Sequence, residues 1–218
     1  MKSLILKDLY NISHNSKVML AMLLLFAFTT LPQGGTEGYI VMCCLLCSMM
    51  VVTTFSFDEN SKWTKYALVL PLSKKDYVLS KFIILLIFSL IGAAFGLVFG
   101  SFLGVVLHKF SGSFTETLLS QLFIALIGVA LSITFGSFTI PLLFKYGAEK
   151  ARMMLLLAFG LPAVLFFGIY KLLDTLGIPV TDHTFMMALR FTPLAAVIIV
   201  FLMYKISYVV FLKKELNS

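Results

Sequence analysis

The feature that most limits what this chain can fold into is a succession of apolar runs separated by short polar breaks. The runs fall at 39–57, 82–107, 118–144, 153–173 and 193–212, with a shorter one at 17–31. A bilayer prefers about 20 apolar residues per helix, and in lipid the backbone must satisfy its own hydrogen bonds. Each run therefore predicts a membrane-crossing helix. The run at 17–31 is short for this and must borrow from its flanks or tilt little. Hydrophobic residues make up 60% of the chain, charged residues 12%, and the mean hydropathy is +1.02, which excludes the soluble class. The expected fold is an all-α integral membrane domain of six transmembrane helices occupying 1–218 as one unit. No cleavable signal peptide is expected at the N-terminus.

The longest polar interruption, Phe57 to Phe82, reads FDENSKWTKYALVLPLSKKDYVLSKF. It carries Lys62, Lys65, Lys74, Lys75 and Lys81, and the only tryptophan, Trp63. Its first half predicts a short helix, with Asp58, Asn60 or Ser61 as cap and Asp58 and Glu59 placed where the dipole favours carboxylates. Trp63, Tyr66, Ala67 and Leu70 share one face, and Lys62 and Lys65 point away from it. Pro71 stops this helix, and Ser73 with Asp76 forms a capping box that starts the next. Such a segment is either a docking element or a helix lying on the lipid surface.

Elsewhere, residues 1–16 predict an amphipathic interfacial helix, with Leu4, Ile5, Leu9 and Ile12 set against Lys2, Lys7 and Asp8. Pro32 to Gly38 predicts a tight turn. The helix of the third run is expected to begin near Lys74 and reach Leu107, about 50 Å at 1.5 Å per residue. Gly92, Gly96, Gly100 and Gly104 recur on it at four-residue spacing, and Gly128, Ser132 and Gly136 answer on the fourth run. Small residues so spaced let helix backbones approach closely. The third and fourth spans are the expected pair, with homodimerisation through one glycine face as the alternative. Pro141 and the Gly160-Leu161-Pro162 step should bend the fourth and fifth spans. Residues 174–192 form either a surface loop or a re-entrant segment. Cys43, Cys44 and Cys47 share one apolar run without a nearby histidine, so they read as small packing residues and no metal site is expected.

Orientation follows from lysine and arginine placement. Lys2, Lys7, Lys17, the five lysines of the central stretch, Lys145, Lys150, Arg152, Lys213 and Lys214 fall on one side, against Lys109, Lys171 and Arg190 on the other. The richer side should be cytoplasmic, together with both termini and the 58–81 stretch. The net charge of +7 is explained by these loops and by anionic lipid, so nucleic acid is not an expected partner. Lys205 is the one basic residue inside a run, and either snorkels or lines a polar interior. His14, His108 and His183 fall on opposite sides. There is no G-x-S-x-G, no H-E-x-x-H and no phosphate loop, so the chain should be neither a hydrolase nor an ATPase. Polar positions such as Thr53, Thr54, Ser89, Ser132, Thr134 and Ser137 either line a path or bond their own helices.

The six-span plan, the N-terminal surface helix and the 57–82 stretch resemble permease subunits of ABC-2 type transporters. Within that family the chain looks like the small bacterial permeases that export phenol-soluble modulins or confer lantibiotic immunity. The resemblance implies a permease pair, identical or related, in the bacterial cytoplasmic membrane, and cytoplasmic ATPase subunits that hold ATP and Mg. It also implies that Glu59 to Leu70 is the coupling helix, with Asp58, Glu59, Lys62, Trp63, Lys65, Tyr66 and Leu70 facing the ATPase. Without a large insertion between spans, the expected cargo is an amphipathic peptide, either self-made or foreign. A membrane scaffold or sensor using the same helix to recruit a partner is the rival expectation.

Overall fold

The computed structural model describes residues 2–13, 16–63, 66, 73–106, 114–150 and 182–216, with single positions 160, 164, 167, 168, 171 and 175. Among them the only regular elements are helices: α1 (Lys2–Ser13), α2 (Ser16–Ser48), α3 (Met50–Asn60), α4 (Lys74–Val106), α5 (Phe114–Tyr146) and α6 (Asp182–Leu216). Among the described residues four stretches are long and apolar enough to cross a membrane: Gly34–Asn60, Lys74–Val106, Thr117–Tyr146 and Phe191–Lys213. Ser16–Pro32 adds a fifth only when taken with Ser3–Ser13, from which it is bent by 64°. The span expected at 153–173 lies outside the described residues apart from isolated positions.

α2 reverses direction at Gly35, whose φ of 65° and ψ of −167° belong to a region open essentially to glycine. The Tyr39 hydroxyl donates to the Leu23 carbonyl at 3.4 Å. In a straight helix those two residues would lie about 24 Å apart, so the two arms fold back on each other. The turn expected over Pro32–Gly38 is thus concentrated at one glycine, with Pro32 still inside the first arm. The second arm breaks once more at Met49, where the Val52 N–H closes a tight turn on the Met49 carbonyl at 3.0 Å. α3 then continues to Asn60, beyond the expected end at residue 57.

The start of α4 follows its sequence. The Asp76 N–H donates to Ser73 Oγ at 3.1 Å, capping a helix that begins at Lys74. Its glycine face, however, packs on α2 rather than on the fourth span. A Cβ on Gly92 would stand 2.6 Å from the Cys43 carbonyl oxygen, one on Gly96 3.0 Å from Ile40 Cα, and one on Gly100 3.4 Å from the Tyr39 ring. Gly104 is buried on the same face. Spans three and four do pack against each other, but their glycines do not face one another. Gly128 also meets α2, at Cys44 and Val41, and only Gly136 meets α4, at Leu85. The reason is size: Cys43, Cys44 and Cys47 are the small residues that let α2 nest between the glycines of two neighbours.

α6 runs unbroken through Asp182–Leu216, so residues 182–192 extend the last span instead of turning back as a separate re-entrant piece. It packs on α5 and presents Leu194, Val197, Phe201 and Val209 outward, as lipid-facing residues do. Lys205 is exposed on this helix with Nζ 4.7 Å from the Phe201 ring. Most polar span positions bond their own backbone: Ser89 to Leu85, Ser132 to Val129, Thr134 to Ala130 and Ser137 to Thr134. One polar link crosses three helices. Ser101 donates to Gln121 Oε1 at 2.7 Å, and Gln121 Nε2 reaches Thr36 Oγ1 at 3.4 Å.

The largest buried cluster gathers one end of the molecule. Leu4 and Ile12 of α1, Phe55 of α3, Tyr77 and Phe82 of α4, Phe144 of α5 and Phe211 of α6 pack together. Phe144 stacks edge-on against Phe55 with centroids 4.9 Å apart and lies 5.2 Å from Phe211. The apolar stripe of α1 therefore rests on protein. Leu6 and Tyr10 are the large apolar α1 residues left exposed.

Candidate functional site

Beneath these rings, four charged side chains meet where α1, the end of α3 and the start of α4 converge. Lys81 is wholly buried. Its Nζ lies 2.8 Å from Asp8 Oδ2, 2.6 Å from Asp58 Oδ2 and 3.4 Å from Thr54 Oγ1. The Tyr77 hydroxyl donates to Asp58 Oδ2 at 3.2 Å. Lys7 closes the ring from the outside, bonding Asp58 Oδ1 and standing 3.0 Å from Asp8 Oδ1. Asp8 and Asp58 side chains are 2% and 3% exposed, so this is an interior ion cluster rather than surface pairing. Two lysines and two aspartates cancel formally.

Local structure explains the convergence. On α1, Asp8 lies one turn from Leu4 and one from Ile12, on the apolar stripe. On α3, Asp58 follows Val51, Thr54 and Phe55 at helical spacing, all of them buried. On α4, Lys81 is four residues from Tyr77 and from Leu85, again on the buried face. Each charge thus occupies a core position of its own helix. Burial of a lone ion is costly, and the opposite charge of another element offsets it. Phe55 and Tyr77 add their ring faces, 4.9 and 5.8 Å from Lys81 Nζ. Removing one member of such a buried set costs on the order of 3–5 kcal/mol, because the partner charge is left stranded.

This arrangement revises several expectations about the 58–70 stretch. Asp58 lies in the last turn of α3, not at the cap of a new helix, and it is too buried to face a partner protein. The helix ends because Lys62 adopts φ 53°, a left-handed position beyond the Ser61 C-cap where glycine is the usual occupant. Trp63 is tucked against the main cluster under Lys7, whose Nζ lies 4.6 Å from its ring. Tyr66 is 65% exposed, and Lys62 is exposed. Lys65 and Leu70 lie outside the described residues. The intramembrane candidate named from sequence, Lys205, has no role in the cluster. Lys81, read from sequence as one lysine of a solvated stretch, is its centre.

Glu59 takes a separate path. Its Oε2 accepts from the Ala148 N–H at 2.8 Å, joining the end of α3 to the chain just beyond α5. Gly147 makes room for this, with φ 82° and no Cβ to collide with Glu59 Oε1. Glu59 itself is exposed and Ala148 is buried, so the link is a single part-buried charge-assisted hydrogen bond, worth about 1.5–3 kcal/mol. Among the described residues no group of three or more His, Cys, Asp or Glu is placed to hold a metal.

No curated protein and no solved structure matches the chain. The family described as ABC-2 family transporter protein matches residues 3–214, which includes every element above. That family comprises membrane-embedded transport subunits that work with an ABC ATPase and generally carry no ATPase site of their own. An all-helical bundle with a braced polar corner, matched nearly end to end, therefore belongs to the ABC-2 transporter family.

Proposed function

We propose that this chain is the permease subunit of an exporter that moves amphipathic peptides outward across the bacterial cytoplasmic membrane. Its polar corner and both termini face the cytoplasm. The segment Glu59–Leu70 receives the movement of a separate ATPase, which supplies ATP and Mg. The observation that carries the coupling assignment is the contrast between Tyr66 and Trp63. Tyr66 stands free on the surface while Trp63, three residues earlier, is anchored in the bundle. A segment exposed at one point and rooted at another suits the transfer of movement. The lysine asymmetry supports the orientation. Short breaks between spans, with 22 Phe and 11 Met in the chain, suit a soft apolar path for an amphipathic helix.

The test is purification of the tagged protein with its ATPase in mild detergent, followed by ATP hydrolysis with and without amphipathic helical peptide. A stoichiometric ATPase accelerated by the peptide is the expected result. An ATPase indifferent to such peptides would remove the cargo assignment, and an eluate without ATPase would favour a scaffold.

A further inference from the structure

We infer that Asp8 and Lys81 are positioning residues for transport. They bind α1 to the end of α3 and the start of α4, so that displacement of the coupling segment carries all three as one body. The contact that parts is the one between Glu59 and Ala148. This rests on the assignment of Glu59–Leu70 as the driven segment.

The geometry distinguishes a contact that holds from one that yields. Lys81 on α4 takes Asp8 from 73 residues earlier and Asp58 from 23 residues earlier. Neither carboxylate can leave without stranding a buried charge, since Lys81 is sealed from water and both carboxylates nearly so. Lys7 then ties Trp63 of the moving segment to the same cluster, reaching both carboxylates and the face of that ring. Tyr77 adds a second α4 contact to Asp58. The polar tie across the other boundary is single, beside the ring contacts of Phe55 and Tyr77 with Phe144. Glu59, itself exposed, offers one carboxylate oxygen to the N–H of the buried Ala148, and a single bond with one partner in water yields more readily than a sealed four-member cluster. α1 is consequently part of the moving machinery, not a passive anchor.

Two measurements on the permease–ATPase complex test this. Spin labels at Ser3→Cys and Lys75→Cys report the α1–α4 distance. Labels at Asn60→Cys and Lys150→Cys report the boundary beside Ala148. All four positions are exposed, whereas the native Cys43, Cys44 and Cys47 are buried. Between nucleotide-free and vanadate-trapped states the first distance is expected to stay constant and the second to change. A changing Ser3–Lys75 distance would overturn the inference while leaving the coupling segment assigned. If neither distance changed, the inference and the coupling assignment would both fall.

The second measurement uses the paired variant Asp8→Asn with Lys81→Gln, which removes one charge of each sign and leaves Lys7 with Asp58. Peptide moved per ATP hydrolysed is expected to fall about tenfold, within the range for changes along a coupling path. A purely structural role would reduce the amount of complex and leave that ratio unchanged, and this result would count against the assignment.

Discussion

Two lysines of the same polar stretch show how much a residue's meaning depends on its surroundings. Lys62 is exposed at a left-handed turn, and Lys81 is sealed beneath Phe55 and Tyr77 between two aspartates. Replacing Lys62 with Met should change stability by well under 1 kcal/mol, as for most surface substitutions. Lys81→Met should cost about 3–5 kcal/mol, because Asp8 and Asp58 would share only Lys7. Thermal unfolding of the two variants in detergent checks this, and equal midpoints would contradict the ion cluster. Charge counting along the chain treats both lysines alike, which is why Lys81 was legible as a topology signal but not as a structural one. A signal was present, since Lys81 shares a helical face with Tyr77, Ile84 and Leu85, all buried. Asp8 between Leu4 and Ile12 carried the same hint.

At the scale of elements, the glycine face of α4 is graded rather than uniform. The hypothetical Cβ of Gly92 would press on backbone of α2 at 2.6 Å, where nothing flexible can give, while that of Gly100 would rest at 3.4 Å against a ring. Gly92→Ala should therefore destabilise the bundle by about 1–3 kcal/mol through overpacking. Gly100→Ala should be nearly neutral, with a small gain in helix propensity offsetting a minor adjustment. Melting both variants in one detergent would decide it, and a larger loss at Gly100 would displace the α2–α4 packing. Four-residue spacing announced that α4 would approach another helix closely, but it cannot name the partner. Cys43 and Cys47, at matching four-residue spacing on α2, were readable as small residues without being recognisable as the complementary surface.

For the whole molecule, the braced corner separates two residues that the sequence placed side by side. Tyr66→Ala should weaken association with the ATPase and leave thermal stability within about 0.5 kcal/mol of the parent, as expected for an exposed side chain. Trp63→Ala should instead cost about 3–5 kcal/mol of stability through the lost packing under Lys7. Comparing ATPase retention with melting temperature for each variant separates the two roles. A stable Trp63→Ala protein that loses its ATPase would reverse them.

The sequence by itself determined the helical class, the presence of long membrane-crossing helices, the reversal near Gly35 and the start of α4 just after Ser73. These follow from local causes: apolar length against bilayer thickness, backbone hydrogen bonds that must close within a helix, and one hydroxyl able to cap the turn after it. Only the tertiary structure decided that α2 lies against both glycine faces, that α1 rests on protein, and that Asp8, Asp58 and Lys81 form one neutral cluster. A charge can be buried only where distant elements bring its counter-charge. That condition is met by the packing of three helices, and no single stretch of the chain contains it.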